Sequence, residues 1–549
     1  MTDLVSVRLK NLCILGSLSL FALINTAAHG QRATLTSHVP DEVTTRVAPL
    51  VGHVSSQHRL NLALSLPLRN EPELLKLIDD IYDPHSPDYH KYVSASEFAE
   101  RFAATEADFN QVVRFAESNG LRVVKKPSNR MVVSVEGPAA NVESAFHVSL
   151  GVFQHPTEAR TFFAPDREPT MDLDVPVLHV DGLDDFSPPR PKYVENAVST
   201  AVAPPAKGSG PSGSFLGSDL RMAYYGTGTL NGSGQTLAIF ALGPYNPTSI
   251  STYFANAHQS QNVPIKAISV DGTAATCGSG CNDAEQALDI EQAISMAPGL
   301  TQLRLYVGKS NISIFNQIAA DNVAKSVSCS WGWAKNASSL DPILEEMASQ
   351  GQSVFVATGD QGSATAANVV WPSDDPWVTA VGGTVLTTKS AGGAWQSETG
   401  WANSAGMITK NSVTIPTYQQ LVGVITSSNH GSKTLRNIPD VASESNGSQY
   451  ICSNGSCRTH GGGTSYAAPL WAGLIALANQ QAASAGKPTV GLINTALYNI
   501  GVGSGFSSDF HDESSGSNGG YTSVKNYDLV TGWGSPSGVN LINALAPKN

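Results

Sequence analysis

At residues 354–362 the sequence reads VFVATGDQG, a short apolar run that ends in a Gly-Asp turn. Such a run is typical of a buried strand, and open α/β sheets place functional residues at the carboxyl ends of their strands. Similar apolar runs alternate with helical patterns along the larger part of the chain. We expect strands at 236–241, 303–307, 325–330, 353–357 and 378–381, and helices at 283–296, 312–322, 342–350 and 465–481. This alternation predicts an α/β domain whose parallel sheet carries helices on both faces.

The composition indicates a globular protein of several domains. The 549 residues exceed what one ordinary core holds. Hydrophobic residues make up 41% and charged residues only 14%, and the net charge of −12 is spread without acidic or basic blocks. We therefore expect neither nucleic acid nor a membrane surface as a partner. With only 33 Lys and Arg residues, the chain would repel itself little once its carboxylates are neutralised, which fits a protein that works in acid.

The first 30 residues have the pattern of a secretory signal peptide. Arg8 and Lys10 precede an apolar stretch at residues 12–24, and the small residues at 28–30 offer a cleavage point. The apolar stretch is too short to span a bilayer, and a short membrane anchor is the alternative. We expect a secreted, extracellular protein that has no membrane segment after the signal is removed.

Residues 31–186 are predicted to form a separate α+β domain. Alternating leucines at 60–66 predict a strand, and we expect helices at 71–81, 106–117 and 139–146 and further strands at 121–125, 130–135 and 148–153. With 148–153 as its closing strand, this order is the split βαβ arrangement of a ferredoxin-like fold.

Residues 187–214 are rich in Pro, Ala, Gly and Ser. A segment of this composition buries too little apolar area to fold, so we expect an exposed linker that is open to proteolysis. A folded N-terminal domain, a cleavable linker and a larger domain at 215–549 form the layout of a secreted zymogen. Two ordinary domains on a flexible tether would have the same layout.

Five of the six cysteines lie beyond the predicted signal. The close spacing of Cys277 with Cys281 and of Cys452 with Cys457 predicts two small disulfide-closed loops in an oxidising compartment. Zinc is the alternative, but no cluster of His or Cys completes either site. Cys329 is left in a predicted buried strand, where a thiol acts as a small hydrophobe.

A serine follows a glycine-rich turn at residues 461–469, which read GGGTSYAAP. Glycines adopt backbone conformations that other residues avoid, and they allow another chain to approach closely. The apolar run after the turn predicts a helix that would hold Ser465 on a buried element. This arrangement presents a hydroxyl as a nucleophile, and a serine at a helix N-cap is the structural alternative.

The usual partner of a serine nucleophile is a histidine base. The larger domain offers His258, His430, His460 and His511, and none stands in a setting typical of that base. The first predicted strand of the domain, 236–241, also has no acid at its end that could orient a histidine. A Ser-His-Asp triad is therefore poorly supported.

Three carboxyl groups suggest a different partner. Glu285 and Asp289 are spaced i,i+4, so they share one face of a helix whose flanking residues are apolar. Two carboxylates held together repel each other, which raises one pKa and lets the pair share a proton. Asp360 lies at the carboxyl end of the strand in 354–362. A chance surface pair and an Asx turn at Asp360 are the structural alternatives.

Together these motifs resemble those of the sedolisin family, the serine-carboxyl peptidases. The Glu-x-x-x-Asp helix, the Gly-Asp turn and Gly-Gly-Thr-Ser-x-x-x-Pro at 462–469 agree in type and order. SPDYHKY at 86–92 resembles a signature of the family's propeptide, and the resemblance runs from about residue 40 to the C-terminus. It implies a subtilisin-like α/β catalytic domain that follows a ferredoxin-like propeptide.

The resemblance also implies a role for each catalytic candidate. Ser465 would be the nucleophile, Glu285 the general base and Asp289 its proton-sharing neighbour, and Asp360 would donate to the oxyanion. A carboxyl donates only when it is protonated, so Asp360 must be neutral while Glu285 is ionised. Activity in acid is the expected consequence.

The C-terminal segment resembles the family's calcium site. Asp512 and Asp528 would supply carboxylates to one structural Ca²⁺, and Glu513, Val524 and Asn526 would supply backbone carbonyls. The family usually has an aliphatic residue at 513 and small residues at 524 and 526. These departures matter only if they change the path of the backbone, because residues 513, 524 and 526 would bind the ion through their backbone carbonyls and not through their side chains. A solvated acidic loop is the structural alternative.

The sequence thus predicts a monomeric, secreted zymogen of an acid endopeptidase that cleaves proteins or peptides and is inhibited by its own propeptide. One alternative is a tripeptidyl-type exopeptidase of the same family. Another is a catalytically dead, calcium-stabilised binding protein, although all four catalytic positions are filled.

Overall fold

The computed structural model describes residues 33–193, 207–335, 337–363 and 370–548. The predicted signal peptide and residues 194–206 of the predicted linker lie outside these ranges.

An eight-stranded sheet forms the centre of the larger domain. The strands lie in the order Ile265–Ser269, Gln302–Val307, Thr236–Ala241, Ser326–Cys329, Ser353–Ala357, Thr379–Thr388 and Trp395–Gly400, and Val441–Glu444 also pairs with Thr379–Thr388. Every neighbouring pair is parallel except the one made by Trp395–Gly400. All five predicted strands are present. Ile265–Ser269 was not predicted, because this half-exposed edge strand has no continuous apolar run.

The sheet separates two hydrophobic cores. Successive residues of a strand point to opposite faces, so Ile239 packs in one core and Phe240 in the other. The first core contains the apolar side chains of the helix Thr464–Ser484. The second contains those of the helix Asn311–Asp321. The central strands Thr236–Ala241, Ser326–Cys329 and Ser353–Ala357 are buried on both sides, which explains their largely apolar sequences.

The larger domain has nine α-helices within the described residues, and they include the four that the sequence predicted. They are Gly217–Tyr224, Pro247–Asn256, Ala284–Met296, Asn311–Asp321, Ala337–Ser349, Thr464–Ser484, Asn494–Val502, Phe506–Asp509 and Gly538–Leu545. Every residue of Ala284–Met296 is buried, because this helix packs against Thr464–Ser484 on one face of the sheet.

The N-terminal domain contains an antiparallel four-stranded sheet in the order Arg122–Lys125, Val132–Pro138, Arg59–Ser65 and His179–Asp181. Its helices are Asp41–Thr44, Glu71–Tyr82, Ala95–Arg101, Glu106–Ser118 and Ala139–Phe146. In sequence order the four strands are arranged 4-1-3-2, which is the ferredoxin-like order.

One strand of that prediction was wrong. The strand Leu150–Gln154 does not close the four-stranded sheet but pairs with Leu50–His53 and Thr161–Pro165 in a separate three-stranded sheet. His179–Asp181 takes the closing position beside Arg59–Ser65. A three-residue strand with partly exposed ends has too little periodicity to be found in the sequence.

The two domains share one hydrophobic core. Ile78 and Phe98 of the N-terminal domain belong to the same buried cluster as Phe315, Leu344 and Met347 of the larger domain. The N-terminal domain therefore covers the outer surface of the helices Asn311–Asp321 and Ala337–Ser349.

Buried polar contacts fix the relative position of the domains. The Tyr82 hydroxyl donates to the Ala348 carbonyl at 2.8 Å, and the Tyr92 hydroxyl donates to the Thr489 carbonyl at 2.8 Å. The amide of Asn129 donates to Glu346 Oε2 at 2.7 Å. Tyr92 ends the SPDYHKY motif, so that motif contributes directly to the interface.

Both predicted disulfides are present, Cys277–Cys281 and Cys452–Cys457. Cys329 is a buried free thiol, and burial raises its pKa. Within the described ranges, no helix combines the length and hydrophobicity that crossing a membrane requires.

Candidate active site

Ser465 lies in the first turn of the helix Thr464–Ser484 and is fully buried. Its hydroxyl donates to the carbonyl oxygen of Ser330 at 3.3 Å. Gly463 precedes the helix with a φ of 133°, a conformation that favours glycine. The turn therefore holds the serine at the N-terminal end of a 21-residue helix, where backbone N–H groups are left without helical partners.

The Glu285–Asp289 pair faces this serine from the neighbouring helix Ala284–Met296. Ser330 connects the groups, because its hydroxyl donates to Asp289 Oδ1 at 2.6 Å while its carbonyl accepts from Ser465. Among the described residues, no hydrogen bond of normal geometry reaches either carboxyl oxygen of Glu285. An unpaired carboxyl beside a serine hydroxyl is free to accept the proton of that hydroxyl.

Burial raises the pKa of both carboxyls well above the usual range, and the charge of Asp289 raises that of Glu285 further. The hydroxyls of Ser465 and Ser330 partly oppose this effect at Glu285 by favouring its charged form. Both effects favour a proton shared by the pair. Glu291, the third acid of the helix, contacts the backbone N–H of Cys452 instead.

Asp360 lies beyond the carboxyl end of the strand Ser353–Ala357 and contacts Thr464, the residue before Ser465. Its Oδ1 accepts hydrogen bonds from the backbone N–H of Thr464 at 2.7 Å and from the Thr464 hydroxyl at 3.0 Å. Burial raises the pKa of Asp360 to about 7, and the bonds from Thr464 and the charge of Lys192 limit the rise. Asp360 is therefore protonated in acid and can then donate a hydrogen bond.

Ser330 is a site residue that the sequence analysis did not find. It follows the strand Ser326–Cys329, and it contacts both the nucleophile candidate and Asp289. A serine at the end of a buried strand is unremarkable in sequence. The only available signal was its position at the carboxyl end of a central strand.

All four predicted catalytic residues therefore lie together, and residues 190–192 of the predicted linker lie over them. Arg190–Pro191 pairs antiparallel with Trp331–Gly332. The carbonyl oxygen of Lys192 accepts a hydrogen bond from the backbone N–H of Ser465 at 3.0 Å. The start of the predicted linker thus covers the site, and Lys192 is buried there although the sequence predicted an exposed segment.

The predicted metal ligands lie on one C-terminal loop. Both carboxyl oxygens of Asp512 accept from the backbone N–H of Asn526 at 3.1 Å, and Asp528 accepts from the backbone N–H groups of Val524, Val530 and Thr531. Asn526 has a φ of 65°, which asparagine tolerates, so it can follow the backbone path of a glycine.

The oxygen ligands that this loop offers fit a hard cation. No described residue donates a hydrogen bond to the carbonyl oxygens of Glu513, Val524 or Asn526. The carboxyl of Glu513 is turned instead toward Ser535, whose hydroxyl lies 3.2 Å from it. In the described part of the chain, no group of three or more His, Cys, Asp or Glu side chains could hold a metal ion. A cation here would rely on two carboxylates and on backbone carbonyls.

The chain is similar to known proteins over most of its length. Residues 48–186 match the family model described as the pro-kumamolisin activation domain. Kumamolisin from Bacillus sp. (strain MN-32) is 29% identical over 90% of this chain and 93% of its own length. Sedolisin from Pseudomonas sp. (strain 101) is 27% identical over 90% of this chain and 89% of its own. The chain belongs to the sedolisin family.

The solved structure of Pseudomonas sedolisin, a serine-carboxyl proteinase complexed with two molecules of pseudo-iodotyrostatin, matches the fold. It has a TM-score of 0.52 at 26% identity and covers 61% of this chain and 97% of its own. Other relatives of the chain are tripeptidyl-peptidases. The subtilisin-like sheet and the activation domain therefore make this chain a zymogen peptidase of the sedolisin family.

Proposed function

We propose that this sedolisin is secreted as the zymogen of an acid-active endopeptidase, and that it cuts peptide bonds through an acyl-enzyme at Ser465. The observation that carries this proposal is the buried connection from Ser465 through Ser330 to Asp289, with Glu285 beside it and Asp360 bonded to Thr464, the residue before Ser465. A serine without a histidine partner needs another base, and these carboxyls supply one.

In the first step, Glu285 takes the proton of the Ser465 hydroxyl while the oxygen attacks the carbonyl carbon of the substrate. Asp289 keeps the second proton of the pair, so Glu285 alone carries the negative charge that makes it a base. The proton then passes to the leaving amine. Water attacks the resulting ester, again with Glu285 as the base, and Ser465 regains its proton.

The oxyanion that forms in each step is stabilised by the backbone N–H of Ser465 and by the protonated carboxyl of Asp360. Because the pKa of Asp360 is about 7, this donor is present in acid and is lost as the pH rises through that value. The hydroxyls of Ser465 and Ser330 favour the charged form of Glu285 while the covering segment 190–192 is still in place, so the pair can share one proton in the intact precursor.

The path of the covering segment favours the endopeptidase over the tripeptidyl alternative. The chain continues from Lys192 back through Pro191 and Arg190 into residues 187–189. A tripeptidyl-peptidase must end its binding cleft three residues before the bond that it cuts. Here the segment in the site is the interior of a longer chain, because residues 187–189 precede it, and an endopeptidase accepts such a chain.

Incubation of the purified precursor at about pH 4 and about pH 7 tests the proposed function. We expect self-processing and cleavage of a denatured protein to be fast at the acidic pH and reduced at about pH 7, since Asp360, with a pKa of about 7, is only partly protonated there. The products should include internal fragments. Release of tripeptides alone would support the exopeptidase, and a precursor that stays intact and inactive in acid would contradict the proposal.

We also propose that Asp512, Asp528 and the backbone carbonyls of Glu513, Val524 and Asn526 bind one structural Ca²⁺. The observation in support is the set of carbonyl oxygens that accept no hydrogen bond from any described residue. The ion would join the two ends of the 512–528 loop, whose Tyr527 belongs to the first core of the sheet.

Removal of calcium is expected to destabilise the larger domain. A bound ion at 100 times its Kd contributes roughly 2.7 kcal/mol, which corresponds to a shift of several degrees in Tm. Thermal unfolding in EGTA, followed by re-addition of Ca²⁺ or Mg²⁺, measures the effect. Asp512→Asn should abolish the calcium-dependent shift, whereas Asp509→Asn on the preceding helix should retain it. Equal Tm values with Ca²⁺ and with EGTA would contradict the site.

A further inference from the structure

A disulfide-closed hairpin connects the nucleophile to Ala284–Met296, hereafter the base helix. The hairpin, residues 449–461, consists of two antiparallel strands in which Cys452 and Cys457 stand opposite each other and are bonded. Its second strand leads directly into the glycine turn before Ser465. The position of the hairpin therefore affects the position of the nucleophile.

The tip of the hairpin is bonded to the start of the base helix. Asp283, which precedes this helix, is fully buried, and its Oδ1 accepts from the backbone N–H of Asn454 at 2.7 Å. The backbone N–H of Asp283 donates in return to Asn454 Oδ1 at 2.8 Å. Asp283 Oδ2 accepts from the backbone N–H of Asn246 at 3.1 Å. Both carboxyl oxygens thus bind segments other than the helix that Asp283 precedes.

The turn at the hairpin tip forms without help from the Asn454 side chain. Asn454 and Gly455 have φ values of 54° and 73°, and an Asn-Gly pair with two positive φ angles is typical of a two-residue hairpin turn. A glycine at 454 can adopt the same φ. The bond from Asn454 to Asp283 therefore contributes to the contact between the hairpin and the base helix rather than to the hairpin itself.

A second polar contact lies about two turns further along the base helix. The backbone N–H of Cys452 donates to Glu291 Oε1 at 3.2 Å. Asp283 and Glu291 are separated by about 12 Å of helix, and Glu285 and Asp289 lie between them. The hairpin thus holds the helix on both sides of the catalytic carboxyl pair.

An apolar cluster joins the hairpin, the base helix and the nucleophile. It consists of Leu288 from the base helix, Ile451 from the hairpin and Tyr466, the residue after Ser465. All three side chains are buried. Because buried side chains are closely packed, a shift of the hairpin would move Ser465 relative to the base helix.

We propose that Asp283 and Asn454 are positioning residues, and that their contact lets the hairpin hold Glu285 at the distance from Ser465 that proton transfer requires. This inference rests on the proposed function. A general base must lie within hydrogen-bond reach of the proton that it takes. Asp283 stands two residues before Glu285, so a change at the hairpin tip reaches the base through the first turn of its helix.

Asp283→Ala tests this role in the full-length precursor, acidified until it is processed. The variant leaves the backbone N–H groups of Asn246 and Asn454 without their acceptor, so the start of the base helix should shift. With fluorescein-labelled casein as substrate we expect kcat to fall about 10- to 100-fold, because a misplacement of about 1 Å costs that much. KM should stay within about twofold, since the bonds lost are not bonds to substrate.

Asp283→Asn is the conservative variant and should recover part of the lost kcat, because its amide oxygen can still accept one of the two hydrogen bonds. A wild-type kcat in Asp283→Ala would overturn the inference. A loss that appears mainly in KM, or one that Asp283→Asn does not relieve, would indicate a merely structural role and would also overturn it.

Asn454→Gly keeps the inference testable if Asp283→Ala does not fold. It retains the turn and loses the amide that bonds to Asp283, so kcat should fall at least about threefold with little change in Tm. Asn322→Gly is the matched control. Asn322 also has a positive φ, 46°, and its Oδ1 accepts from Lys325 Nζ at 2.5 Å, but it ends the helix Asn311–Asp321 on the other face of the sheet. The control should keep the wild-type kcat, and equal kcat values in the two glycine variants would contradict the positioning role.

The outcomes separate this inference from the proposed function. Activity that depends on Ser465 but is unchanged in Asp283→Ala and Asn454→Gly would overturn the positioning role and leave the function intact. Activity that continues in Ser465→Ala would overturn the function itself.

Discussion

Ser465→Ala is expected to remove both self-processing and cleavage of added protein, with a loss on the order of a million-fold that places turnover below detection. The side chain is fully buried, and its hydroxyl donates to the Ser330 carbonyl. Its removal leaves a small space and no buried charge, so the variant should fold. Without the hydroxyl no acyl-enzyme forms, and the carboxyl pair has no proton to accept.

Loss of precursor on a gel after acidification, together with release of fragments from a denatured protein, measures the effect. Ser326→Ala is the matched control. Ser326 is also a buried serine whose hydroxyl donates to a backbone carbonyl, that of Ala472 at 2.6 Å, and it lies at the far end of its strand from Ser330. The control should process normally. Comparable processing by Ser465→Ala and wild type would place the nucleophile elsewhere.

Asp360 should set the upper pH limit of the reaction. Asp360→Ala would remove one of the two proposed oxyanion donors and should reduce turnover by about 10²- to 10³-fold at all pH values. Asp360→Asn behaves differently, because an amide donates at every pH. In the wild type the carboxyl donates below its pKa of about 7 and loses its proton above it, so activity falls as the pH rises through 7. In Asp360→Asn this fall should move to higher pH.

The rate of self-processing across a pH series is the suitable measurement, because it reports a single turnover of the intact chain. For Asp360→Asn we expect a lower maximal rate of self-processing and a pH–rate profile whose alkaline limb falls at higher pH than in the wild type. If Asp360 had only a structural role, Asp360→Asn would lower the rate of self-processing without shifting the alkaline limb of the pH–rate profile. If wild type and Asp360→Asn lost activity at the same pH, another group would control the alkaline limb.

Local pattern accounts for much of what the sequence predicted correctly. Unbroken apolar runs predicted the central strands because both of their faces are buried. The i,i+4 spacing predicted that Glu285 and Asp289 share a helix face, since helical geometry depends only on sequence distance. Close spacing likewise predicted the Cys277–Cys281 and Cys452–Cys457 disulfides.

Prediction failed where an element depends on distant partners. The strand His179–Asp181 exists because Arg59–Ser65 offers it a free edge, whereas Leu150–Gln154 finds other partners. Ser330 became a site residue only when the sheet brought it between Asp289 and Ser465.

The sequence by itself determined which chemical groups this sedolisin carries: a serine on a glycine turn, three acids in place of a histidine, and an N-terminal domain before a linker. Only the tertiary structure decided which residues those groups contact. It placed the Lys192 carbonyl against the Ser465 N–H, which lies 273 residues later in the chain, and it buried the lysine side chain near Asp374. The physical reason is that burial and long-range hydrogen bonds arise from packing between elements. A local pattern contains neither.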